Sequence, residues 1–271
     1  MRVSVLRLSL LLGCTVAAGL ALGSLGMGAE QVRLMTFVGS ASKPPMQECK
    51  KVYEKLHPNV ALDMTFGGSG TLLHQMTLEQ VGDLYIPGSD DFMDKAETQK
   101  AVLPATRRIV CYLVPAICVQ KHNPKKIRSL DDLARPGVTV GMAKAGAVCL
   151  GDVTEQILSS AGLLDDVRKN VLTYAASCEQ TQQLLQLGEV DAIIGWDSFA
   201  AWAPDKIDTV PIPAKYMRVR NVPAAVSVFS EHQKAAAEFI KFLTSKQAQD
   251  IFAKHGYPIK PPKLAPSGQQ K

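Results

Sequence analysis

The sequence predicts an α/β protein of two lobes, each a mostly parallel sheet with flanking helices, with two crossing strands as the hinge. Three features carry this. Strand-like and helix-like runs alternate from residue 32 to about residue 98. A long apolar run, Ile109–Val119, follows and is interrupted by Pro115, and the alternation then starts again. A second apolar run, Ala224–Phe229, comes late and leads into two closing amphipathic helices. Alternating strands and helices build parallel sheets with helices laid over them. Two such units joined by two apolar crossings, with the last helices returning to the first unit, leave a cleft between lobes. The expected boundaries are a leader over 1–29, a first lobe from 30–112 and 226–271, and a second from 113–225.

In the first unit, residues 32–38 alternate like a strand and end in Gly39-Ser40-Ala41-Ser42. Pro44 suits the first turn of a helix that carries Met46, Cys49, Val52, Tyr53 and Leu56. Residues 60–66 form a second strand, then come Gly67-Gly68-Ser69-Gly70-Thr71 and a helix over Leu72–Glu79. Residues 83–86 form a third strand, and Asp90 or Asp91 is placed to cap the helix bearing Phe92, Met93 and Ala96. In the second unit the strands fall at 137–142, 170–174 and 191–195, and the helices at about 152–161 and 179–187. Helices over 231–243 and 245–255 close the chain, and the tail 261–271, rich in Pro, Gln and Lys, is expected to be disordered.

The N-terminus differs from the rest. Arg2 and Arg7 precede an uncharged stretch from Leu8 to Leu25, then small residues, and the first acid is Glu30. Positive, apolar, small and then ordinary sequence is the secretory signal pattern. It implies export to the periplasm and cleavage just before Glu30. Leu11-Leu12-Gly13-Cys14 resembles a lipoprotein box, but the apolar stretch continues well past Cys14, which favours a free signal peptide over lipid anchoring. Five cysteines remain after it: Cys49, Cys111, Cys118, Cys149 and Cys178. An odd number leaves at least one thiol unpaired in an oxidising compartment. Cys149 and Cys178 read either as a disulfide that stiffens the second lobe or as two small buried hydrophobes. The five histidines show no metal-ligand spacing. The formal charge of +5 falls by two once Arg2 and Arg7 are removed, and no basic cluster interleaves with aromatics, so nothing points to nucleic acid.

In open α/β sheets, ligands sit beyond the C-terminal ends of strands, where helix N-termini present unpaired N–H groups suited to anions. The loops at 39–42 and 67–71 lie at such places, and their glycines and serines supply converging N–H and hydroxyl donors. Each is also what a strand-to-helix turn needs for purely structural reasons.

The surrounding residues carry a resemblance. Residues 37–44 (FVGSASKP) resemble the first loop of the periplasmic molybdate- and tungstate-binding proteins. Residues 65–72 (TFGGSGTL) resemble their second serine loop, residues 82–94 (GDLYIPGSDDFMD) their third strand and its helix, and residues 185–196 (LQLGEVDAIIGW) the second-lobe strand that leads to the cleft. The likeness runs over about residues 32 to 257. It implies a type II periplasmic binding protein fold and an ABC import system whose permease and ATPase are the partners of a monomer. It also implies a ligand that is molybdate or tungstate, with no other cofactor. Carried over by position, the hydroxyl ligands fall on Ser40 and Ser69, which would meet the metal through its oxygens with no direct protein–metal bond. Main-chain donors fall near Leu150 and Cys178, and Trp196 stands where relatives often have a tyrosine. Another branch of the family surrounds the metal with two carboxylates. Here those positions hold Gly195 and a residue of the 147–150 loop, neither acidic, although Asp197 is close in sequence.

Two other classes compete. A binder of sulfate, phosphate or arsenate, or an anion sensor for a membrane kinase, would use the same cleft. A hydrolase is disfavoured, because a nucleophile elbow around Ser69 would need Gly where Thr71 stands. A phosphate loop would need Lys where Leu72 follows. The acid pairs at 90–91, 131–132 and 165–166 read as caps or solvated turns.

Overall fold

A computed structural model describes residues 31–263. The leader with Cys14, its cleavage site and most of the tail lie outside the described residues. The described residues form ten strands, β1 (Val32–Gly39), β2 (Val60–Gly67), β3 (Leu84–Ile86), β4 (Arg108–Leu113), β5 (Pro115–Gln120), β6 (Val140–Ala143), β7 (Val171–Ala175), β8 (Ala192–Trp196), β9 (Ile207–Pro211) and β10 (Arg220–Val226). The helices are α1 (Lys43–Leu56), α2 (Ser69–Glu79), α3 (Asp90–Thr98), α4 (Cys149–Ala161), α5 (Leu164–Arg168), α6 (Cys178–Gln186), α7 (Phe199–Trp202), α8 (Gln233–Leu243) and α9 (Lys246–Lys254).

The strands divide into two five-stranded sheets, ordered β2-β1-β3-β10-β4 and β7-β6-β8-β5-β9. In the first, β1 runs parallel to β2 and β3, while β10 is antiparallel to β3 and β4. The second repeats the plan: β6 is parallel to β7 and β8, and β5 is antiparallel to β8 and β9. In each lobe, then, three parallel strands are followed by one that has crossed from the other lobe, and by an outer strand. That arrangement sets the parallel trio of each lobe to end at the cleft.

Apolar spacing decides how the helices pack. Met46, Cys49 and Tyr53 of α1 are buried at helical intervals. Tyr53 packs edge-on against Phe239 of α8, ring centroids 4.9 Å apart, and lies 5.1 Å from Phe242. Lys254 of α9 pairs with Glu48 of α1. The closing helices therefore belong to the first lobe.

The crossings differ from expectation on one side. The outward one is a single residue, Val114, between β4 and β5, with Pro115 opening β5. The sequence puts the return at the apolar run Ala224–Phe229, with the second lobe running to residue 225. Instead the whole of β10 lies in the first sheet, and the return is the irregular segment 212–219. Val222–Val226 are apolar because β10 is a central strand covered on both faces. The register shift between Val222 and Pro223 accommodates a proline that cannot donate to the ladder. Other boundaries also shift: α2 begins at Ser69 and α4 at Cys149, a turn earlier than expected, and Ser89 rather than an aspartate occupies the N-cap position of α3. Strand β9 and the short helices α5 and α7 were not anticipated.

Candidate ligand site at the meeting of four helix starts

The expected positions Ser40, Ser69, Leu150, Cys178 and Trp196 converge at the facing edges of the two lobes. Ser40 opens a single 3-10 turn after β1, and Ser69, Cys149 and Cys178 are the first residues of α2, α4 and α6. First-turn N–H groups have no carbonyl ahead of them in the helix, so each start presents donors and a partial positive charge. The starts touch. Glu179 N–H donates to Ser40 Oγ across the lobes at 3.3 Å. Ser69 Oγ interacts with the Cys149 thiol, and the Cys149 thiol with that of Cys178. Leu150 contributes its main chain, an N–H directed at the Cys178 sulfur, while its side chain is in the core. All five expected residues are buried.

Glycines let the lobes meet. Gly70 N–H donates to Ala147 O of the second lobe at 2.9 Å. A Cβ on Gly68 would lie 2.6 Å from Ala147 O and 2.8 Å from Ala176 O, both carbonyls of the opposite lobe. The backbone of Gly68, at φ −68° and ψ 136°, is one any residue adopts. Its glycine is therefore explained by the close approach and not by conformational freedom. At the rim, Lys43 of α1 pairs with Glu179 of α6 at 2.7 Å, both partly buried. Arg220 of β10 donates to Asp91 of α3 at 2.9 Å and to Gln156 of α4 at 2.6 Å. The described contacts of the Ser40, Ser69, Cys149 and Cys178 side chains involve no lysine or arginine.

Several supporting groups were not legible in advance. Ser69 Oγ accepts from Gly88 N–H at 3.0 Å, and Tyr85 Oη donates to Ser69 O at 2.8 Å. Tyr257, from the far end of the chain, donates to Ala41 O at 2.6 Å and accepts from Trp202 Nε1 at 3.0 Å, which ties the first loop to the C-terminal segment. Burial pushes the phenols of Tyr85 and Tyr257 well above their usual range, so both remain donors. Trp196 Nε1 is buried and has no oxygen or nitrogen partner; its contact is with the Cys178 sulfur, a weak acceptor that leaves the N–H short of a full hydrogen bond. Asp197 does not join the cluster. Burial raises its carboxyl to about 6, the Ser198 N–H opposing, and it interacts with Cys118 on β5.

All five cysteines of the described residues are free thiols, Cys149 and Cys178 included. Among the described residues, no group of three or more His, Cys, Asp or Glu is placed to hold a metal ion. The groups brought together here are the hydroxyls of Ser40 and Ser69, the indole of Trp196, the thiols of Cys149 and Cys178, and main-chain N–H groups.

This geometry agrees with a sequence match. Residues 34–258 match the family model described as bacterial extracellular solute-binding protein. The chain belongs to this family. As a solute-binding protein it captures its ligand and does not transform it. A putative binding protein of Haemophilus influenzae is 26% identical over 224 residues, covering 83% of this chain and 90% of that one. Among solved structures, the periplasmic molybdate-binding protein of Azotobacter vinelandii superposes with a TM-score of 0.75 at 17% identity, over 84% of this chain and all of that one. The sulfate-binding protein SubI of Mycobacterium tuberculosis gives 0.74 at 19% identity, over 86% and 88%. At such identities the likeness shows the fold, the two-lobed type II periplasmic binding protein.

Proposed function

We propose that this solute-binding protein captures a tetrahedral oxyanion, molybdate or tungstate, in the interlobe cleft and delivers it to the permease and ATPase of an ABC importer. The observation that carries this reading is the convergence of four N–H-bearing starts from both lobes on one buried point, with no lysine or arginine among the contacts. Fixed N–H dipoles in a desolvated pocket stabilise an anion without a countercharge. Ser40 and Ser69 would donate their hydroxyls to the anion's oxygens, Leu150 and Cys178 their main-chain N–H groups, and Trp196 its indole N–H. No protein atom would bind the metal directly. An indole N–H donates and cannot accept, and thiols accept weakly. A site so rich in donors favours an oxyanion that carries no proton, and disfavours phosphate, which keeps one. The molybdate and sulfate ligands named for the structural neighbours are of this kind.

A thermal-shift panel of molybdate, tungstate, sulfate, phosphate, arsenate and chromate tests the reading. Ligand that binds only the folded state at a hundredfold excess over its Kd stabilises by about 2.7 kcal/mol. Molybdate or tungstate is expected to raise Tm at micromolar concentration while phosphate does not. A flat response to both metal oxyanions with a clear shift for sulfate or phosphate would overturn the ligand assignment and leave the two-lobed binder standing.

A further inference from the structure

Oxyanion capture does not use the two thiols in the site. Cys149 and Cys178 each open a helix of the second lobe, and each is 2% exposed. The cover over Cys149 comes partly from the first lobe: Ser69 interacts with it, and a Cβ on Gly88 would lie 2.5 Å from its sulfur. Opening the lobes would therefore uncover Cys149, whose thiol is in contact with that of Cys178. The remaining cysteines of the described residues are elsewhere: Cys49 lies on α1, Cys111 on β4 and Cys118 on β5.

We propose that Cys149 and Cys178 form a dithiol site for a thiophilic oxyacid, that of trivalent arsenic or antimony, held in the same cleft. Two neighbouring sulfurs on one rigid lobe can chelate one such centre. Two S–H groups replace two hydroxyls of the oxyacid, two As–S bonds form as two As–O bonds break, and two waters leave. No electron is transferred. The third hydroxyl remains on arsenic, where Ser69 and the under-used Trp196 Nε1–H are placed to meet its oxygen. The Cys149 thiol is in contact with that of Cys178, and this contact together with burial raises it above its ordinary range. The same contact, with the indole and Leu150 N–H groups, lowers the Cys178 thiol while burial opposes them.

A soft cation is a poorer fit for these thiols. It would sit at the positive ends of α4 and α6, with no carboxylate or imidazole completing a metal cluster among the described residues. A neutral oxyacid meets no such repulsion, and its oxygen suits a cleft built from hydroxyl and N–H groups.

The inference rests on the cleft being the solute site, and its test separates the two ligand classes. Sodium arsenite is added to the reduced full-length protein, arsenic per chain is counted by native mass spectrometry, and the unprotected thiols are then alkylated in denaturant and mapped by peptide. The expected result is one arsenic per chain at micromolar arsenite, with Cys149 and Cys178 alone protected. Cys149→Ser and Cys178→Ser should each lower arsenite affinity at least about a hundredfold, since one sulfur cannot chelate. Protection of other cysteines, no retained arsenic, or undiminished retention in the serine variants would overturn the inference. The mapping on unaltered protein stands even if a variant misfolds. Arsenic retained without any molybdate or tungstate response would instead overturn the anion reading and keep this one.

Discussion

Ser40 and Ser69 look equivalent in sequence, yet the structure gives them different second roles. Ser69 Oγ accepts from Gly88 N–H within the first lobe, whereas Ser40 Oγ accepts from Glu179 N–H of the second. A hydrogen bond to a charged ligand oxygen contributes about 1.5–3 kcal/mol. Ser40→Ala and Ser69→Ala are each expected to weaken oxyanion binding by about ten- to a hundredfold, measured by calorimetry. Only Ser69→Ala should also lower ligand-free stability, by about 1–3 kcal/mol, because it strands the buried Gly88 N–H. Equal melting temperatures for the two variants would contradict this division. Asp197 gives a pH-dependent expectation. Its carboxyl is raised from 3.8 to about 6, so the folded state binds its proton more tightly than the unfolded chain does. The folded state therefore loses stability as pH rises from about 4 to about 6, and the loss persists above that range. Asp197→Asn should be more stable than the parent at pH 8, by about 3 kcal/mol, and the margin should nearly close at pH 4. Chemical denaturation at both pH values checks it.

At the scale of elements, the serine loops were legible as strand-to-helix turns because both lie where the alternation places them. Tyr257 was not legible: it acts on Ala41 over 216 residues of sequence, and nothing local marks it. The return crossing was misplaced because a central strand and a crossing strand are equally apolar, and only pairing distinguishes them. Gly68 was legible as a glycine but not for its reason. Its backbone tolerates a side chain, and a Cβ there would strike only the opposite lobe. Gly68→Ala is therefore expected to leave the ligand-free melting temperature within about 1 °C of the parent while weakening binding tenfold or more, by blocking closure. A large loss of ligand-free stability would place the clash inside the first lobe instead. The rim pair Lys43–Glu179 should matter less. A partly exposed ion pair contributes about 0.2–1 kcal/mol, so Glu179→Gln is expected to weaken binding no more than about fivefold, and less at high salt.

Across the whole molecule, donors are split between lobes. Ser40 and Ser69 belong to the first, and the starts of α4 and α6 with Trp196 belong to the second. A ligand enclosed from both sides enters only when the lobes part, and the chain gives them two connections on which to turn, Val114 and the segment 212–219. Small-angle scattering is expected to show a smaller radius of gyration on ligand addition, and an unchanged radius at saturation would mean the lobes do not move. The most direct test of the account is a crystal grown with tungstate and measured at a tungsten absorption edge. The expected anomalous map has one dominant peak per chain, ringed by Ser40, Ser69, the Leu150 and Cys178 N–H groups and Trp196. A dominant peak elsewhere on the protein, with these five residues bare, would contradict it.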